Sequence, residues 1–374
     1  MSENDFLTTL EPIAVDIVAK HAAYVDKTAA FPKAAVDALG AAGLLGLTSA
    51  KTVGGLGQGP RAAALVVERL AKECASTAMV VTMHYAGVAV LEKHGPEQVR
   101  RDAATGKHLS TLAFSEAGSR SQFWAPVGSA TRAAGGVALS GKKSWITSAS
   151  HASAYVWSSR PLEAQGVSTL WLVPRDTKGV QISGSFDGLG LRGNDSAPVT
   201  AEHAIIPEAN RLGADGAGLS VMLEVVLPLF NLLNAACSVG LMQGAVARAI
   251  EHVSGTGFEH DGSKLRDLPT IRAYVARMQL ATDQARLLVL DTVDALERGR
   301  PDAMLRVLEC KAAAGEAANQ VLDTAMRVCG GAAFRKEVGV ERAFRDARAA
   351  SVMGPTTDVL YDFIGKALTG LPVF

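Results

Sequence analysis

Cysteine is scarce in this chain. Its 374 residues hold four, Cys74, Cys237, Cys310 and Cys329, far apart and with no C-x-x-C among them. That spacing argues against a disulfide framework or a zinc knuckle and points to buried free thiols in a reducing compartment. An excess of one charge is also missing, because 37 Lys and Arg balance 37 Asp and Glu. Neither a nucleic-acid footprint nor an acidic tail is expected from such a balance. Aromatic residues make up only 5% of the chain. The start, M-S-E-N-D, is acidic, and no long uncharged apolar run follows directly after it. A secretory leader or a membrane span is therefore not expected, and the expected location is the cytoplasm.

Apolar residues are abundant, at 48%, and much of that share is Ala and Leu. A chain of this length exceeds one small core, so two or three domains are expected. Hydrophobic periodicity divides it into three blocks. Residues 1–108 are helical in pattern: Leu7, Leu10, Ile13 and Ile17 recur every three or four positions. Further helices are expected over 32–39, 61–74 and 76–94. Gly54, Gly55, Gly57 and Gly59 break the pattern before Pro60, a residue suited to a helix's first turn. In residues 109–215 the period changes to two. Strands are expected over 110–114, 127–133, 137–145, 154–159, 169–174, 180–183 and 199–206, in a small antiparallel barrel or sandwich. Residues 216–374 return to the helical period, with helices over 222–253, 268–297, 303–329, 340–350 and 357–368.

Two loops rich in small and hydroxyl residues bracket a hairpin's worth of strand in the middle block. The first follows L-A-F at 112–114 and reads S-E-A-G-S-R-S-Q; the second is G-K-K-S-W-I-T at 141–147. Such loops present N–H groups, hydroxyls and an aromatic face to a flat heteroaromatic ring. The G-L-G-L-R-G run at 188–193 fits G-x-G-x-x-G, but N-D-S-A-P follows it instead of a helix. A phosphate loop needs that helix N-terminus, so this run is read as a coincidental match.

The loop pair resembles the flavin-binding signature of the acyl-CoA dehydrogenase family, T-E-P-x-A-G-S-D followed by K-x-W-I-T-N. The resemblance implies an α+β multidomain fold: an N-terminal helical domain, a middle antiparallel β-barrel or sandwich, and a C-terminal four-helix bundle. It also implies FAD. Trp145 would pack on the isoalloxazine and Thr147 would bond near its N5. Phe114 (main chain) and Ser115 would meet the pyrimidine edge, and Ser121 would lie near the pyrophosphate. Ala117, Arg120 and Gln122 depart from the family's Pro, Gly and Asp. Near the C-terminus, C-G-G-A-A-F and V-E-R-A-F-R-D-A-R resemble the family's H-G-G-x-G-(F/Y) and its E-R-x-(Y/F)-R-D-(A/S)-R. That match implies a homodimer or homotetramer in which Gly330 and Gly331 approach a neighbour's FAD. Arg327 or Lys264 would replace a pyrophosphate-binding Arg that is not in place in the segment 254–266.

The family's catalytic Glu has no counterpart. In V-M-G-P-T-T-D, Gly354 stands at the Glu of Y-E-G-T-x-E, leaving only a main-chain N–H there. In L-P-L-F-N-L, Phe230 stands at the alternative Glu and Asn231 at its neighbouring Arg. Substitute bases would be Asp358, one helical turn beyond Gly354, or His84 in T-M-H-Y, with Glu224 and Glu116 also available. A histidine on an apolar helix is more often a core residue, and Glu116 is more often structural. Three functions follow. One is an oxidoreductase on an acyl-CoA thioester with a displaced base, coupled to an electron acceptor. Another is a flavin monooxygenase, served by a flavin reductase, on an amine, aromatic or sulfur substrate. The third is a catalytically inactive homologue.

Overall fold

The computed structural model describes residues 3–120 and 122–373. The N-terminal block holds α1 (Glu3–Pro12), a π-helical stretch (Ile13–Ala19), α2 (Lys20–Thr28), α3 (Lys33–Ala41), α4 (Pro60–Glu73), α5 (Ala75–His94) and α6 (Glu97–Ala104). Pro60 opens α4, where its missing N–H costs nothing. α5 is apolar all round and is buried along nearly its whole length.

The middle block forms two four-stranded sheets. One has the order β1 (Ser110–Ala113), β4 (Ala154–Ser159), β5 (Thr169–Pro174), β8 (Arg211–Leu212). The other runs β2 (Ser129–Ala133), β3 (Gly136–Ile146), β7 (Ala197–Ile206), β6 (Val180–Ile182). β4 is buried throughout and β5 nearly so, as expected of strands covered on both faces. Tyr155, Trp157, Trp171 and Val173 pack on the second sheet. Val156, Leu170 and Leu172 pack on Ala86, Val90 and Leu91 of α5 and on Met222 and Leu227. The first sheet is thus the middle layer. β7 shows far more exposed positions and forms part of the outer layer.

The sandwich is not wholly antiparallel. β1 pairs parallel with β4, from Ser110↔Ala154 to Ala113↔Trp157. The chain builds the β2–β3 hairpin of the other sheet between them, and that excursion supplies the crossover a parallel pair needs. The two-residue β8 was too short to announce itself by periodicity.

The C-terminal block contains α7 (Gly218–Val221), a π-helical turn (Met222–Val226), α8 (Leu227–Gly255), α9 (Pro269–Arg298), α10 (Ala303–Cys329), α11 (Val340–Val352) and α12 (Thr357–Thr369). The helix expected over 222–253 is therefore continuous only from Leu227. Gly218–Gly255 is long and apolar enough to cross a bilayer, with mean hydropathy 1.8. Yet 83% of its most apolar window is buried within the protein, where it packs with α4, α9, α10 and α11. Gly299 closes α9 in the left-handed conformation, φ 61°, which a glycine adopts without a Cβ clash.

Candidate active site

A cavity of about 560 Å³ opens where the three blocks meet. That volume lies within the roughly 300–1,000 Å³ of small-molecule sites. α5 supplies Met79 and Met83, and α8 supplies Phe230. The end of α11 supplies Ala349 and Val352, followed by Met353 and Gly354. The β domain supplies Ser115, Glu116, Ala117 and Arg120 after β1, then Ser144, Trp145 and Thr147 at the end of β3. The segment 186–196 completes the wall with Phe186, Gly188, Gly190, Leu191, Arg192, Asn194 and Ser196.

Local chemistry explains why these loops hold their shape. The Ser144 N–H donates to the Ser115 carbonyl at 2.9 Å and ties the loop after β1 to the end of β3. Below them Lys143 Nζ meets Glu116 Oε1 at 2.6 Å, and also donates to the Ser158 carbonyl and Oγ. Glu116 accepts further from the N–H groups of Val127 and Gly128. Burial pulls the Lys143 ammonium below the usual lysine range, and the Glu116 carboxylate pulls it back. The β3–β7 register shifts between Lys143 and Ile146, and Trp145 takes a left-handed φ of 59°. Such an irregularity re-aims a side chain. The indole is 60% exposed, stacked on Phe186 at 4.0 Å between centroids. Arg120 has a φ of 48°, a conformation that suits glycine better.

The glycine-rich run at 188–193 leads into β7 with no helix, as its sequence implied, yet it forms a wall of the cavity. It is clamped from three directions. The Leu191 N–H donates to Asp346 Oδ1 of α11 at 2.6 Å, the Gly193 N–H to Ser76 Oγ of α5, and Arg192 Nε to the Asp26 carbonyl of α2. A Cβ at Gly190 would stand 2.5 Å from the Arg345 carbonyl, so only glycine allows this approach. Burial pushes the Asp346 carboxyl up to about 6, opposed by the Leu191 N–H. The folded chain then binds more protons than the unfolded one between the ordinary aspartate value and about 6, so this group's contribution to stability falls as pH rises through that window. Asp346→Asn keeps an acceptor and removes the charge. Its melting temperature relative to the parent is expected to rise between pH 5 and pH 7.5. Asp346→Ala orphans the Leu191 N–H and is expected to lower it at both pH values; equal pH trends for the parent and Asp346→Asn would overturn the assignment.

Of the residues singled out from the sequence, the cavity unites Ser115, Glu116, Ala117, Arg120, Trp145, Thr147, Phe230 and Gly354. Others lie elsewhere. Phe114 is buried beside Leu112 and Phe123, and only its chain position next to Ser115 brings it near. Ser121 lies outside the described residues. Arg327 projects from α10 over the Tyr274 ring and donates to its hydroxyl at 2.9 Å. Gly330 and Gly331 follow α10 with open space around their Cα atoms, and neither lines the cavity. Asp358 is exposed on the first turn of α12, and Glu224 is exposed on the π-helical turn. His84 is fully buried: Nε2 faces the Leu45 carbonyl at 3.0 Å and Nδ1 accepts from the Ser110 N–H at 3.0 Å. Burial holds its pKa down to about 4. A ring with both nitrogens engaged by main chain is a core histidine and cannot serve the cavity as a base. Among the described lining residues Glu116 is the only carboxylate, and its oxygens are committed to Lys143 and to two N–H groups.

Met79, Met83 and the segment 186–196 were missed. The methionines read as ordinary helix core, and the segment was set aside because its glycines lack a helix. A signal did exist: phenylalanine, glycines and small polar residues between two strands describe a loop that can approach a ligand closely.

Sequence models of the acyl-CoA dehydrogenase N-terminal, middle and C-terminal domains match residues 2–105, 111–204 and 216–369. The chain is 30% identical to the mitochondrial short-chain specific acyl-CoA dehydrogenase of Homo sapiens over 349 residues, covering 90% of this chain and 83% of the relative. It is 28% identical to the cyclohex-1-ene-1-carbonyl-CoA dehydrogenase of Geobacter metallireducens, covering 97% and 96%. The butyryl-CoA dehydrogenase structure from Megasphaera elsdenii superposes with a TM-score of 0.92 at 23% identity, covering 98% of both chains.

Proposed function

The chain belongs to the acyl-CoA dehydrogenase family, and from that premise we propose that it is an FAD-dependent oxidoreductase acting on an acyl thioester. The observation that carries this reading is that the β domain and the helical domains line the cavity with different chemistry. The β domain brings the exposed indole of Trp145 and the polar groups of Ser115, Ser144 and Thr147. An aromatic this exposed, held by a bulge beside hydroxyls, suits a flat heteroaromatic ring with a polar edge. The helices bring the apolar side chains of Met79, Met83, Phe230, Val352 and Met353, which suit an acyl chain and help keep water out.

FAD supplies a two-electron acceptor when bound. The chain's own contribution is to hold that ring by Ser115, Trp145 and Thr147, to desolvate the acyl group, and to offer the Gly354 main chain to a thioester carbonyl. Arg120 brings a cation to the cavity wall, where a pyrophosphate is a fitting partner. Gly330, Gly331 and the 86% exposed Phe334 form a separate surface. We assign it to contact with a second copy of the chain, with Arg327 beside it.

Trp145→Ala is expected to purify with at least about tenfold weaker FAD retention and an unchanged fold, read from the flavin absorbance after dialysis and from circular dichroism. Full retention would remove the indole from the site. The function itself is tested by anaerobic titration of the holoprotein with saturated acyl-CoAs from butyryl to palmitoyl. Bleaching of the flavin supports the proposal. The lack of a free carboxylate among the described lining residues also favours a second reading, a monooxygenase on a substrate without a thioester. No bleaching, with oxygen-dependent turnover only after external reduction, would select that reading instead.

A further inference from the structure

Lys311 of α10 is 1% exposed, and among the described residues no carboxylate forms an ion pair with it. Its Nζ donates instead to three carbonyls: Ala350 at 3.0 Å, Met353 at 3.1 Å and Pro355 at 2.8 Å. An ammonium has three N–H donors, so this cage satisfies it completely. The first carbonyl belongs to the last turn of α11, where helix carbonyls lack intrahelical partners and the dipole favours a cation. The other two flank Gly354. Asn234 Nδ2 of α8 also donates to Met353 Sδ at 3.4 Å. Val352, Met353 and Gly354 all line the cavity. A segment following a helix end has no backbone ladder to fix it, and here one buried cation does so. Burial pulls the Lys311 pKa down to about 7, while the three carbonyls favour the protonated form.

We propose that Lys311 is the positioning residue of the thioester side of the cavity: its ammonium, caged by the carbonyls on either side of Gly354, sets where the Gly354 main chain meets the substrate carbonyl. The proposal rests on the acyl-thioester reading of the cavity. It separates two functions in one site. The flavin-facing groups Ser115, Trp145 and Thr147 are held by the β domain and do not depend on Lys311. The Gly354 segment is held by α10 and does.

The test compares FAD content with acyl-CoA affinity in the holoprotein, the latter from the shift of the flavin absorbance during anaerobic titration with butyryl-CoA to palmitoyl-CoA. Lys311→Met keeps the bulk of the stem and removes the donors. It is expected to retain FAD and to bind the acyl-CoA that the parent prefers on the order of 10²-fold more weakly, the loss expected of a misplaced contact. Lys311→Gln, which keeps an N–H donor pair, is expected to fall between the two. Val289→Ala, a core truncation in α9 away from the cavity, is the control for general loosening and should leave the affinity unchanged. If the parent flavin responds to no acyl-CoA, the thioester reading fails before this one is reached. If the parent responds and Lys311→Met and Lys311→Gln respond with its affinity, the positioning role is wrong. Should Lys311→Met not accumulate, the Gln variant decides: parent affinity overturns the proposal, and weakened affinity at full FAD content supports it.

Discussion

Gly354→Glu is expected to raise the rate at which an acyl-CoA bleaches the flavin by about 10²–10⁴-fold, the usual yield of a positioned general base. Removing the proton next to a thioester carbonyl requires a basic group within reach. The parent cavity offers none: its only described carboxylate, Glu116, is locked to Lys143 and two N–H groups. Gly354 and Phe230 both line the cavity, so a carboxylate introduced at either place enters the same chamber. The surrounding methionines, valine and phenylalanine would raise its pKa by desolvation. That shift favours catalysis, because a general base works best with a pKa near the working pH. The measurement is single-turnover bleaching under anaerobic conditions for Gly354→Glu, Phe230→Glu and the parent. Rates for both variants equal to the parent's would mean that no acyl thioester lies between α8 and the end of α11. A parent already as fast as Gly354→Glu would mean that a base outside the described lining serves the site.

Lys143→Met is expected to cost about 3–5 kcal/mol, because it leaves the Glu116 carboxylate buried without its cation. The two side chains are 0% and 4% exposed, and their contact joins the loop after β1 to β3 and, through Ser158, to β4. Neither charge has water to fall back on. The same physics predicts that Lys143→Met combined with Glu116→Leu recovers most of the loss, since an apolar pair of similar volume avoids the desolvation cost altogether. Urea unfolding followed by tryptophan fluorescence measures both. Equal loss in the single and double variants would show that the Glu116 bonds to Val127 and Gly128, and not the ion pair, hold the loop. Flavin retention is expected to follow stability, because Ser115 and Ser144 stand on either side of this pair.

The long helices were legible because their signals are local. Pro269 and Gly299 mark the ends of α9, and the buried stripe of α10, from Val307 to Cys329, is apolar but for Lys311. The segments 115–122 and 141–147 were legible for a different reason. Each taken alone reads as turn chemistry, and only the pair together, at that spacing, resembles a family signature. The second proved to be mostly the end of β3. The parallel pairing of β1 with β4 left no mark, since a strand's own residues do not state the direction of its neighbour. His84 was ambiguous for a similar cause. Its two main-chain partners, Leu45 and Ser110, lie 39 and 26 residues away, and nothing in T-M-H-Y announces them. Arg327, Gly330 and Gly331 resemble a cofactor-binding set in sequence but do not reach the cavity of their own chain.

Periodicity by itself determined the order helices, sheets, helices, while the resemblance of the two loops and of the C-terminal motifs to the acyl-CoA dehydrogenase family pointed to a flavoprotein and marked positions 230 and 354 as lacking its acid. Each of these depends on residue type and on neighbours a few positions away. Only the tertiary structure decided that Met79, Phe230, Gly190 and Gly354 face one chamber, that Glu116 is spent on Lys143, and that an isolated lysine on α10 holds the turn after α11. Those facts depend on groups far apart in the chain being desolvated together, and burial is a property of the assembled core that no short stretch carries.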